Sequence, residues 1–394
     1  IYIEYAKAGI DDILMKITVH NRSKRKADIH IIPHLWFRNF WKHNPRYKKP
    51  SLKIFEKNCI RSQSIRNGKY HFYFEEGEAL FCENETNDEK IYGVANQSKF
   101  VKDGINDHIV AKKKSVNPDQ IGTKTGIWIK KSIKSGAETS IRVRLSKKKN
   151  NQPFEDFDKI FTLRSEENDL FYELKIPGHL TPPHKHIIRR AFAGLLWSKQ
   201  FYYLDVHKRL HGGPGELPPH RIYKKNEGWE HLTNRDIVSM PDKWEYPWYA
   251  VWDLAFHTTT FVEIDPDFAK EQLLLVLKEY YMHPNGQIPA YEWNFSDVNP
   301  PVHSWAVWQV YEKDKIANGK PDYVFLERAF QKLMINYTWW VNQKDSSRTS
   351  LFEGGFLGLD NIGVFDRSHM PQGIKQMKQA DATSWMGMFS LDML

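Results

Sequence analysis

Hydrophobic and polar positions along this chain keep two different periods. Up to about residue 150, apolar and polar residues exchange places over short runs. Thr139–Leu145 (TSIRVRL) alternates clearly, and Ile13–His20 and Ile127–Ile133 alternate in part. Ile29–Phe37, His71–Phe74, Ala79–Glu83 and Tyr92–Ala95 are further short β-prone runs between turn-rich segments. A period of two puts one face in a core and one in solvent, so these runs predict strands. Many short strands with polar connections predict an antiparallel β-sandwich.

Beyond that point the period becomes helical. Phe154–Lys175 predicts a helix charged on one face, with Phe157, Ile160, Phe161, Phe171, Tyr172 and Leu174 on the other. Pro177, Gly178, Pro182 and Pro183 then break the chain. The division expected is a sandwich over 1–153, a helical linker over 154–180 and a helical domain over 181–394. Its first helix is predicted from Thr181 to about Leu210, with Ile187, Ala191, Leu195, Tyr202 and Val206 at core spacing. Further helices are predicted over Trp248–Val262, Pro266–Met282 with Asp265 as N-cap, Val302–Lys315, Pro321–Gln343 and from Asp381 onward. Long loops at Pro284–Pro301 and Lys344–Lys378 separate them. Long ordered loops on a helical scaffold usually carry function. Paired helices leading into loops on one face predict an α/α toroid with its site at the loop end.

Composition narrows this picture. A chain of 394 residues, 41% hydrophobic and 14% aromatic, can bury a substantial core, in two domains or in one large one with an appendage. No run approaches the length of apolar residues that a membrane span needs. Cys59 and Cys82 have no CxxC neighbour, so a zinc site is not expected and a disulfide scaffold is excluded; they read as two free thiols, with a single bond between them as the alternative. No histidine–carboxylate cluster is read as a metal site, and no cofactor is expected. The net charge of +9 lies mainly in the first half, at Lys112–Lys114, Lys130–Lys131 and Lys147–Lys149. Such runs read as solvated strand edges and turns, and no nucleic-acid motif accompanies them. The chain starts on Ile and stops on Leu394 inside a helical pattern without a cap, so it reads as a piece of a longer protein. A cytoplasmic location is expected, and the oligomeric state is left open.

The densest aromatic stretch runs from Trp229 to Asp253, with Trp229, Trp244, Tyr246, Trp248, Tyr249 and Trp252. Rings at this density form a core, a partner interface or a cleft. Carboxylates and amides among them favour a cleft, because a plain core would leave those groups unpaired. A sugar offers such a cleft an apolar CH face and a hydroxyl edge. The mixture recurs at Tyr291–Trp308 and Glu353–Asp366.

Four motifs in order carry a resemblance: YPWYAVWD with the following LAFH, PNGQIPAYEWNFSDVNPPVHSWA, EGGFLGLDN, and QADATSWMGMF. Together they resemble glycoside hydrolase family 63, which includes processing α-glucosidase I and mannosylglycerate hydrolase-like proteins. The resemblance is strong over about residues 180–394 and loose before them. It implies a β-sandwich followed by an (α/α)6 toroid, here with about half of its twelve helices. It also implies an inverting α-glycosidase that removes a terminal α-glucosyl or α-mannosyl group from an oligosaccharide or small glycoside.

Inversion needs one carboxylic acid to protonate the leaving oxygen and one carboxylate to activate water. Asp360 is the candidate acid. Gly354, Gly355 and Gly358 let the backbone approach a ligand, and Phe352, Phe356 and Leu359 supply an apolar wall. The resemblance places the general-acid Asp at this same residue. Nothing here matches the family's basic Glu, which is expected beyond Leu394. Tyr246, Trp252 and Asp253 match the family positions that hold the terminal sugar. Glu292, Asp297 and Asn299 read as hydroxyl partners, with Trp248 and Trp293 as stacking plates. Glu353 reads as a loop anchor, and His257 and His303 as satisfied core or rim residues. Two other functions stay open: a carbohydrate-binding or scaffold protein with a dead site, and a basic polyanion-binding module.

Overall fold

The structure, a computed structural model, describes residues 1–42, 47–212, 227–240, 242, 248, 250–291, 298–353, 372–373 and 382–394. The chain divides into two compact units, Ile1–Phe171 and Tyr172–Leu394.

The first unit is antiparallel. Strands β1 (Tyr2–Gly9), β2 (Asp12–His20), β3 (Ala27–Ile31), β4 (His34–Trp36), β5 (Ser51–Glu56), β6 (Cys59–Ser64), β7 (Gly68–Phe74) and β8 (Glu78–Cys82) come first. Two short helices follow, α1 (Asp88–Tyr92) and α2 (Gly104–Ala111). Then come β9 (Ile121–Gly122), β10 (Lys124–Ile133) and β11 (Glu138–Ser146). One sheet runs β1-β2-β11-β7-β6-β5-β9; in the other, β10 pairs with β3, β4 and β8. Alternation sets which side chains face in: in β11, Ile141 and Val143 are buried, next to Ile17 of β2 and Phe74 of β7. Leu52, Ile60, Ile127 and Ile129 from both sheets join them in one core.

One expectation fails here, and one hairpin was not foreseen. Tyr92–Ala95 is no strand; Tyr92 ends α1, whose Asn87 side chain accepts the Lys90 amide and whose cap, Gly93, sits at φ +67°. Those local caps outweigh a four-residue β-prone run. The hairpin of β5 and β6 carries little signal, because alternation is limited to Leu52-Lys53-Ile54 and β6 ends on the polar run Arg61–Ser64. Cys59 and Cys82 are free and buried. Helix α3 (Phe157–Lys175) forms as expected, with Phe157 packed on Ala6 and Leu14, but Leu174 is exposed.

In the second unit, α4 (Pro182–Leu196) stops at Trp197, well short of the predicted Leu210. Lys199–Asp205 is instead β12, paired in register with β13 (Thr233–Ser239) from Lys199↔Ser239 to Asp205↔Thr233. Phe201, Tyr202 and Tyr203 favour a strand once a partner is available, and the helical spacing of the same residues loses to it. Ile187 and Ala191 are exposed, and Phe192 is the buried residue of α4. A one-and-a-half-turn helix, α5 (Val206–His211), continues from β12.

The helical core consists of α6 (Val251–Ile264), α7 (Pro266–Leu275), α8 (His303–Asn318), α9 (Tyr323–Gln343) and α10 (Ala382–Met393). Asp265 caps α7 by accepting the Phe268 amide at 3.1 Å, as its place before Pro266 predicts. Asp322 does the same for α9 at 3.0 Å. Helix α8 packs on α6, α7, α9 and α10, and a single core holds Leu254, Phe261, Leu273, Val310, Leu333, Trp340 and Phe389. Among the described residues no helix is long and apolar enough to cross a membrane.

Candidate active site

Helix α6 starts where Ala250 leaves extended backbone (φ −130°, ψ 119°) without a side-chain cap. Its first turn carries Trp252 and Asp253. The Val251 amide donates to the Ala290 carbonyl at 3.1 Å, which joins this turn to the loop before α8. That loop is itself shaped by Gly286, which sits at φ +94°, a conformation open to glycine. A Cβ there would meet the Ile335 carbonyl oxygen at 2.7 Å. Asn336 of α9 donates to the Gly286 carbonyl at 2.8 Å and locks the turn.

Val251, Trp252, Ile288, Val298, Asn299, Pro300, Pro301, His303, Asn336 and Trp340 together line one small cleft. The space they enclose is about 30 Å³, about one water's share of liquid volume. The described residues therefore form one wall of a site rather than a sugar-sized hole. Larger cavities in this unit, about 390 Å³ beside Trp308 and Leu394 and about 520 Å³ beside Lys199 and Arg328, include neither Trp252 nor Asp253.

The chemistry of the wall is specific. Burial pushes the Asp253 carboxyl above the ordinary carboxylate range, against the opposing hydrogen bonds of its own backbone and of the Trp252 side chain. Trp252 packs edge-on against Phe256 at 6.0 Å, and Phe256 in turn contacts Trp305 at 5.3 Å. His303 is fully buried and burial lowers its pKa to about 4, so it stays neutral. Its Nε2 donates to the Leu273 carbonyl at 2.8 Å, which leaves Nδ1 as an acceptor. That Nδ1 and the Asn299 Oδ1 are both buried with no partner among the described residues. Two buried acceptors on residues that line one cleft with Trp252 call for donors, from water or from a ligand's hydroxyls.

The structure thus brings Trp252, Asn299 and His303 to one cleft, with Asp253 beside Trp252. Trp248 is half-buried. Asp360, Tyr246, Gly358, Glu292, Asp297 and Trp293 lie outside the described residues. Glu353 holds a loop: its amide donates to the Lys344 carbonyl at 2.6 Å, and the Ser346 hydroxyl bonds its carboxylate. His257 bonds Ser239 Oγ at 2.7 Å, while Ser239 also meets Ser198 and Gln272. Sequence reasoning placed His303 among satisfied residues; the structure leaves its Nδ1 open. It also passed over the spacing His207–His211, whose imidazoles meet Glu230. The signal was there as two histidines four apart on a helix.

Residues 246–370 match the family model described as Mannosylglycerate hydrolase MGH1-like glycoside hydrolase domain. That span holds α6, the Asn299 loop, α8 and α9, so the class indicated for this region is glycoside hydrolase-like and carbohydrate-active. Among individual proteins, the chain is similar to the Uncharacterized protein YMR196W of Saccharomyces cerevisiae, 41% identical over 440 residues. That alignment covers 100% of this chain and 40% of the relative's length. A Putative kojibiose phosphorylase from human microbiome aligns over 87% of this chain and 43% of its own at 11% identity. Its TM-score of 0.24 is too low to support a common fold.

Proposed function

We propose that this chain is part of an inverting α-glycosidase of the family 63 type, acting on a terminal α-glucosyl or α-mannosyl group. Its helices belong to an (α/α)6 toroid whose remainder lies beyond Leu394. The observation that carries the reading is the first turn of α6. Trp252 offers an apolar plate to a cleft that Asn299 and His303, each with a buried acceptor, also line, and Asp253, next to Trp252 in the chain, carries a desolvated carboxyl. Hydroxyl donors and a CH face are what a sugar presents to such a set. The match of residues 246–370 to a glycoside hydrolase domain supports the same substrate class.

In this reading Trp252, Asp253 and Tyr246 hold the terminal sugar. Asp297, Asn299 and Glu292 receive hydroxyls, and Trp248 stacks. Asp360, on its glycine-lined loop, protonates the leaving oxygen. A Glu in the following part of the protein activates the water.

The test is Asp360→Asn in the full-length protein, assayed on α-glucosides and α-mannosides with the released anomer followed by NMR. Loss of general-acid help should cost about 10²–10⁴-fold in turnover. Turnover near that of the unmodified enzyme on every active substrate removes Asp360 from the mechanism. A product of retained configuration removes inversion.

A further inference from the structure

We infer that His207, His211 and Glu230 form a binding site for a zinc-class divalent cation, which clips α5 to the chain entering β13. The inference rests on this cluster alone and is independent of the glycosidase reading.

The local fold builds the cluster. Asp205 pairs with Thr233 at the end of the β12–β13 ladder, and the Val206 amide donates to the Leu232 carbonyl at 3.1 Å. Val206, Leu232 and Trp229 then pack together, all buried, with Leu204 and Leu210 against them. Helix α5 is capped by Asp205, which accepts the Lys208 amide at 3.0 Å. His207 and His211 stand four residues apart and so share one face of that helix. Their ring centroids are 4.8 Å apart. The residue that the packing of Trp229 and Leu232 presents to this face is Glu230.

Both imidazoles converge on the same carboxylate oxygen. His211 Nε2 lies 3.2 Å from Glu230 Oε2, and His207 Nδ1 lies 3.8 Å from it. One ligand atom from each residue falls within 4.8 Å of the others. Ligands about 2.1 Å from a tetrahedral ion lie about 3.4 Å from one another, so these spacings fit around one ion after sub-ångström adjustment. Two imidazole nitrogens and one carboxylate are a donor set that zinc accepts, with water in the fourth position. Calcium and magnesium prefer oxygen ligands throughout. All three side chains are at least 41% exposed, so an ion reaches them from solvent. A bound ion would close the loop between His211 and Glu230 and remove freedom from the unfolded chain.

The experiment titrates Zn²⁺ into the chelator-stripped protein against a chromophoric chelator, and records thermal melts with and without the ion. One tight equivalent and a raised melting temperature are expected. His211→Ala and Glu230→Gln should each weaken binding by at least about 100-fold and abolish the rise in melting temperature. His231→Ala should change neither; its ring lies tilted against Trp229, 5.7 Å between centroids, and is outside the cluster. The control matters because the chain holds 17 histidines. Absence of a stoichiometric site overturns the assignment. So does unchanged affinity in His211→Ala and Glu230→Gln, or equal loss in His231→Ala.

Discussion

His303 Nε2 donates to the carbonyl of Leu273 at 2.8 Å, and this one bond decides what the other ring nitrogen can do. With the proton on Nε2, Nδ1 is a buried acceptor without a partner among the described residues, on a side chain that lines the same cleft as Asn299 and Trp252. The α8 helix therefore holds an open hydrogen-bonding position at the wall of the cleft, fixed by the backbone of α7. An acceptor held this way is oriented before any ligand arrives, so this side chain adds little ordering cost to the binding step.

His303 also predicts a pH dependence. Burial places its pKa at about 4, against 6.5 for the free side chain. The unfolded chain takes up the proton first as pH falls, so this contribution to stability is whole above about pH 6.5 and is lost between there and pH 4. The slope from one such group is about 1.4 kcal/mol per pH unit in that window. Burial lowers the pKa of His257 too, and it acts in the same direction. His303→Gln keeps a donor for Leu273 and removes the titration. Denaturant unfolding from pH 7 to pH 4 should show a flatter profile for the variant, and coincident slopes would mean the imidazole is not held neutral.

At the helix start, Asp253→Ala and Trp252→Ala separate two roles. If the carboxylate accepts sugar hydroxyls, its loss should lower kcat/KM by about 10–100-fold, the worth of a charged hydrogen bond. Trp252→Ala should raise KM more than it lowers kcat, since a stacking plate binds ground and transition states alike. Steady-state kinetics on the full-length protein decide this, with circular dichroism to confirm that α6 persists. Unchanged kcat/KM in Asp253→Ala would take this residue out of the sugar site.

Stability of the helical core rests in part on Lys270. Its Nζ lies 2.6 Å from Asp314 and 2.7 Å from Asp322, and the Asp314 side chain is only 4% exposed. Lys270→Met leaves that carboxylate nearly buried, with the Asn318 amide still donating to it at 2.6 Å. A loss of about 3–5 kcal/mol is expected, because a stranded buried charge costs more than the pair contributes. Adding Asp314→Leu should restore most of it. Chemical denaturation of the two variants checks both statements, and equal stability of the single and double variants would refute them.

The sequence by itself determined the periods and the punctuation. Alternation in Thr139–Leu145 marked a strand, and the Asp265-Pro266 step marked the start of α7, because backbone geometry reads such signals locally. The aromatic density around Trp252 likewise marked the region that matches a glycoside hydrolase domain. Tertiary structure decided whatever depended on a distant partner. Lys199–Asp205 became a strand because Thr233–Ser239 was there to pair with it. His303 was left with an acceptor Nδ1 because the Leu273 carbonyl took the proton of its other nitrogen. His207, His211 and Glu230 met because the pairing of β12 with β13 set Glu230 beside α5. Local spacing states which groups are available; only packing across tens of residues states which of them meet.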